Sequence, residues 1–161
     1  MKRLAFILSA MFLSVGLLYG TAFSGSVVGI GFEFGTNFIA DTDGETGASR
    51  VFNLNFDLSD DLAIGYYHEN VSGDDLAFTG DISALQVRHR INDLLQAGVR
   101  FGNAVDNEQN GIYAAVFGTV TAITTTNDTF SGSIDLNLGY DFLPDFDEDL
   151  IKVGLTGSVK F

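Results

Sequence analysis

A chain of 161 residues, 46% hydrophobic and 18% charged, makes one domain and is too apolar to be disordered. A net charge of −13, with only eight Lys and Arg, excludes a nucleic-acid binder, because phosphate recognition needs clustered cations. The absence of Cys excludes disulfides, an acylated-Cys anchor and thiolate metal centres.

The first 24 residues read as a cleaved secretory signal peptide. Lys2 and Arg3 open it, an apolar run follows from Leu4 to about Leu18, and Ala22-Phe23-Ser24 is a small-x-small cleavage pattern. The mature domain is then 25–161, and its composition of 19 Gly against one Pro suits closely packed strands.

From there period-2 alternation predicts eight strands. Over 26–38, Val28, Ile30, Phe32 and Phe34 oppose Gly29, Gly31, Glu33 and Gly35. Over 50–58, Phe52, Leu54 and Phe56 oppose Asn53, Asn55 and Asp57. Over 62–69, Leu62, Ile64 and Tyr66 oppose Ala63, Gly65 and Tyr67. The segment 76–91 ends with Leu85 and Val87 against Gln86, Arg88 and Arg90, and 94–102 sets Leu95, Val99 and Phe101 against Gln96, Gly98 and Arg100. The segment 111–124 is apolar on both faces, which leaves its phase open. Over 129–142, Ile134, Leu136, Leu138 and Tyr140 oppose Ser133, Asp135, Asn137 and Asp141; over 149–161, Ile151, Val153 and Leu155 oppose Lys152, Gly154 and Thr156. Short turns are expected near Asp60-Asp61, Asn92-Asp93 and Asn127-Asp128, and longer polar loops over 39–48, 70–75, 103–110 and 143–149. Short turns on one side and long loops on the other are the rhythm of an all-β, eight-stranded antiparallel up-and-down transmembrane barrel with its termini in the periplasm.

Alternation alone does not decide between a membrane barrel and a secreted carrier with its apolar face inside. The glycines on the polar face favour the membrane barrel, since a narrow lumen needs small residues and a wet surface does not. Closure follows, because hydrocarbon leaves no partner for a free sheet edge. The ending VGLTGSVKF resembles the terminal strand of bacterial outer-membrane proteins, which finishes on an aromatic and is read by the barrel-assembly machinery. That resemblance implies a partner for Phe161 and a bacterial outer-membrane location. The mature layout resembles small eight-stranded barrels such as OmpX and the OmpA membrane domain, and the stretch LLQAGVRFGNAVDNEQNGIYAAVFG is similar to the central hairpin of YfaZ-type outer-membrane proteins.

With the polar face inside, Glu33 and Asp135 fall near mid-height, Arg100 and Lys152 above them, and Asp57, Arg88, Arg90 and Lys160 near the periplasmic end. A buried charge has to be paired, so these eight predict a salt-bridged plug in a lumen just wide enough for side chains. More than half of the 21 acids lie in the long connections and their edges, among them Asp41, Asp43, Glu45, Glu69, Asp74, Asp75, Asp145, Asp147, Glu148 and Asp149. Of these, Asp41, Asp43, Glu45, Asp145, Asp147 and Glu148 form a candidate divalent-cation rim; the alternative is a solvated, repulsive edge.

Catalysis is not expected. His68 and His89 are the only imidazoles, no His-x-Ser pattern occurs, and the sequence neighbours of His68 point to the opposite face. The sequence therefore predicts a monomeric, non-enzymatic outer-membrane barrel without cofactor, contacting membrane lipid, with divalent cations as candidate partners of the rim. A narrow porin-like channel is the alternative, and a lipid-modifying enzyme stands behind both.

Overall fold

A computed structural model describes residues 29–107, 109–126 and 130–161; the expected signal peptide, Glu108 and the turn expected at Asn127-Asp128 lie outside the described residues. The fold is all β: β1 (Gly29–Asp41), β2 (Thr46–Asp57), β3 (Leu62–Ser72), β4 (Gly80–Arg90), β5 (Leu95–Val105), β6 (Asn110–Thr126), β7 (Ser131–Leu143) and β8 (Glu148–Lys160). Each strand pairs antiparallel with the next, and β8 returns to β1 to close the barrel. Backbone bonds in both directions between Ile30 and Phe161 fasten the seam. No sheet edge is left among the described residues, so the ladder groups meet one another and the wall can stand in hydrocarbon.

The side chains sort as the alternation requires. Phe34, Leu85, Phe101, Leu136, Leu138, Val153 and Leu155 face outward and are 46–74% exposed, whereas Glu33, Asn53, Gln86, Arg100, Asp135 and Lys152 are turned in and at most 7% exposed. An exposed apolar belt around a buried polar interior is the reverse of a water-soluble carrier. We expect Leu136→Arg, in the middle of β7 between Val120 and Leu155, to lower the stability of the barrel folded in lipid vesicles by about 2–4 kcal/mol, because a cation there sits deep in hydrocarbon. Urea titration reads this, and a loss below about 1 kcal/mol, the value near an interface, would mean that Leu136 does not face lipid.

The ambiguous segment takes one phase. On β6, Tyr113, Ala115, Phe117, Thr119 and Thr121 are buried in the interior. A bulge between Thr121 and Ile123 then shifts the register, so that Ile123 opposes Ile134 and both face outward. An unbroken strand would have turned Ile123 inward with Thr121.

Two expectations are corrected. The connections 42–45, 106–109 and 144–147 are no longer than the turns 58–61 and 91–94, because the strands run on into the segments read as loops. At that far end Ile39, Val71, Ala104, Leu143 and Leu150 point inward and pack together, which holds the strands paired. Only 73–79 is longer, and it takes in residues 76–79, which had been read as the start of a strand. Leu76 and Phe78 are buried in the barrel mouth instead, with Phe146 set edge-on to Phe78 at 4.8 Å. The far end of the barrel is thus closed by an apolar cap, and the polar interior lies beneath it.

Candidate functional site: a sealed lumen

The inward side chains form three tiers. At the end of the barrel that carries the termini, Arg88 makes a two-pronged ion pair with Glu33, and Asn53 Nδ2 donates to the same carboxylate at 2.7 Å. Lys160 pairs with Asp57. Glu33, Arg88, Asp57 and Lys160, with Arg90, Thr124, Ser133, Ser158 and Asp135, line an open cavity of about 260 Å³.

The middle tier is a stack. Arg100 lies between two rings, its guanidinium carbon 3.8 Å from the centre of Tyr67 and 3.9 Å from that of Phe117. Its Nε donates to Gln86 Oε1 at 3.3 Å, and Gln86 in turn donates to Asn55. A desolvated cation against ring faces is attracted by their quadrupoles. The wall is shaped around this stack. A Cβ on Gly98 would strike the Phe117 ring and the carbonyl of Val87. The space beside Arg100 amounts to about 10 Å³, roughly one water.

Above it, Lys152 bridges two carboxylates, Glu69 and Asp141, with the three side chains at most 3% exposed. Glu69 also accepts from Asn37 at 3.0 Å, Tyr67 at 2.6 Å and the Ser49 hydroxyl. Gly154 makes this possible, since a Cβ there would collide with the Asn37 amide and the Thr36 carbonyl. The apolar cap follows directly, with Tyr113 stacked parallel to Tyr67 at 6.4 Å.

Of the eight charges expected inside, the structure brings Glu33 to Arg88 and Asp57 to Lys160. Arg100 and Asp135 do not meet: Arg100 rests on rings, and Asp135 accepts from Ser133 at 2.6 Å, its other oxygen having no hydrogen-bond partner among the described residues. Arg90 lines the cavity mouth. The partners of Lys152 are two acids that the sequence reading leaves outside the network: Glu69, placed there among the acids of the long connections, and Asp141 are both fully buried inside. The signal was present in the alternation, since extending Ala63-Gly65-Tyr67 by two residues puts Glu69 inside.

The acidic rim does not converge. Asp41 and Glu148 are turned inward and buried. Asp41 Oδ1 accepts from the amides of Asp43 and Glu45, in a turn completed by Gly44 at φ 93°. Asp145 accepts from the Ile112 amide. Asp43 and Asp147 are exposed. Among the described residues no three His, Asp or Glu side chains are gathered as a metal site.

The architecture has counterparts among solved structures. A crystal structure of Neisserial surface protein A (NspA) superimposes with a TM-score of 0.50 and 13% identity, over 82% of this chain and 94% of that one. A de novo designed transmembrane β-barrel gives 0.49 and 9%, over 80% and 94%. The chain has the fold of a small transmembrane β-barrel. At these identities the likeness is one of fold. No protein-family model and no curated protein matches the sequence, so the YfaZ-type likeness rests on the text of the 94–118 hairpin alone.

Proposed function

We propose that this chain is an integral outer-membrane barrel that does not conduct, with a structural or surface-interaction role exercised through its wall and far-end turns. The observation that carries the reading is the blocked lumen. Entering from the termini end, a solute passes the cavity, meets Arg100 wedged between Tyr67 and Phe117, then the Lys152 cluster, then the cap of Leu76, Phe78 and Phe146. Beside Arg100 and Lys152 the free space amounts to about one water's room. Neither histidine lies in this path, because His68 and His89 are on the outward faces of β3 and β4, so the lumen lacks an imidazole base.

The outer-membrane placement draws on the exposed apolar belt, the fold and the terminal strand ending on Phe161, through which the assembly machinery would take up the chain. The barrel closes without a second copy, which favours a monomer. In planar bilayers the purified protein is expected to give no steady conductance above the bare-membrane level. Sustained unitary currents from the monomer would replace this reading with the narrow-channel one.

A further inference from the structure

The outer wall at the far end of β3 and β4 carries a row of polar groups where the belt should be apolar. His68 and Ser83 are register partners across the two strands, and Asp81 precedes Ser83 by two residues on the same face. The Ser83 hydroxyl lies 3.3 Å from His68 Nδ1, and Asp81 Oδ1 lies 3.8 Å from His68 Nε2. Asn70 Nδ2 donates to that same Asp81 oxygen at 3.0 Å. Tyr66 Oη is 3.1 Å from Ser83 Oγ, and the Tyr66 ring lies parallel to the imidazole at 6.5 Å. The chain of contacts Asn70–Asp81–His68–Ser83–Tyr66 is continuous and supplies a nucleophile, a base and an orienting carboxylate in the required order.

We propose that Ser83, His68 and Asp81 form a lipid-facing triad that hydrolyses acyl esters of membrane phospholipids. Position favours a lipid ester as substrate. One step down the same face are Leu85, 74% exposed, and on β5 its register partner Phe101, 51% exposed. The triad therefore sits at the upper edge of the apolar belt, where the hydrocarbon core gives way to the headgroup layer and where the ester carbonyls of a phospholipid lie. Arg50, exposed on β2 opposite Asn70, stands beside it at headgroup height and suits a phosphate. Ionisable side chains facing lipid are costly, so a connected set of them calls for a role.

The chemistry balances with water as the only co-reactant. Ser83 Oγ attacks the ester carbonyl carbon while His68 takes its proton, and the carbonyl electron pair moves onto oxygen, within reach of the Tyr66 hydroxyl. Collapse breaks the acyl–oxygen bond, and the leaving alkoxide takes the proton from His68 as a lysolipid. Water, deprotonated by His68, then attacks the acyl-serine and releases a fatty acid, restoring Ser83. Asp81 steadies the imidazolium through the other ring nitrogen. The 3.8 Å separation is longer than a hydrogen bond, and such contacts commonly tighten when substrate binds. This goes beyond the sealed-lumen reading and departs from the sequence expectation of no catalysis, because the serine stands across the ladder from His68 and not beside it along the chain.

The test uses the full chain folded in detergent micelles, its folding checked by heat-modifiable gel migration. It is treated with a fluorophosphonate probe and, separately, with phosphatidylethanolamine–phosphatidylglycerol vesicles from which free fatty acid is measured. The folded protein should be labelled at Ser83 and should release acid. S83A and H68A should fold and lose at least about a thousandfold in rate, as nucleophile and base removal do elsewhere, and D81N should lose at least about tenfold. Absence of either signal in the folded wild type, or its survival in S83A, overturns the assignment.

Discussion

Lys152→Met is expected to destabilise the barrel by about 3–5 kcal/mol, because removal of one member of a buried ion cluster strands the others. Lys152 is the cation shared by Glu69 and Asp141, both without solvent exposure. Without it, two carboxylates are left together inside the lumen, and Asp141 loses the only ion pair it makes among the described residues. Urea unfolding of the protein in vesicles, followed by gel mobility, reads the loss. The triple variant K152M/E69Q/D141N should recover most of it, since neutral groups need no counter-ion. A K152M variant as stable as wild type would mean that the cluster is water-filled and not a structural layer. The two outcomes also bear on the seal, because a water-filled cluster is a route for ions.

Phe78→Ala should cost a similar amount, about 3–5 kcal/mol, the usual range for deleting a fully buried ring. Phe78 has no exposed surface, and its ring meets Phe146 edge-on. It belongs to the segment 73–79, which is joined to the wall through Leu76 and Phe78, so the loss should fall on that segment. Limited proteolysis should cut within 73–79 in the variant and leave the wild type intact. Conductance should stay absent in F78A, because the Arg100 stack lies below the cap and is untouched. Currents appearing in F78A would make the cap the true gate and the stack a passive lining.

Strand number and facing were legible because alternation is a local property. Leu136 and Val153 are outside, and Asp135 and Lys152 inside, as their spacing demanded. The phase of 111–124 was not legible, because Tyr113 and Phe117 are as apolar as Ile112 and Val116 and only the neighbouring strands choose between them. The segment 76–79 misled for a related reason. Leu76 and Phe78 carry the period of a strand, and that period records only that they share one side. It does not say whether the shared side belongs to a paired strand or to a connection folded into the barrel mouth. The lumen charges were half legible. Extended alternation puts Glu69 inside, yet its acidity and its place near a loop argued for the rim.

By itself the sequence determined the class of the molecule: eight alternating segments, a glycine-lined polar face and an oily one. Only the tertiary structure decided which groups meet. Lys152 reaches Glu69 from 83 positions away, and His68 faces Ser83 from 15. Those meetings depend on strand register and ring closure, which bring together residues from distant parts of the chain, whereas the side-chain period is set within each strand by the pleat alone.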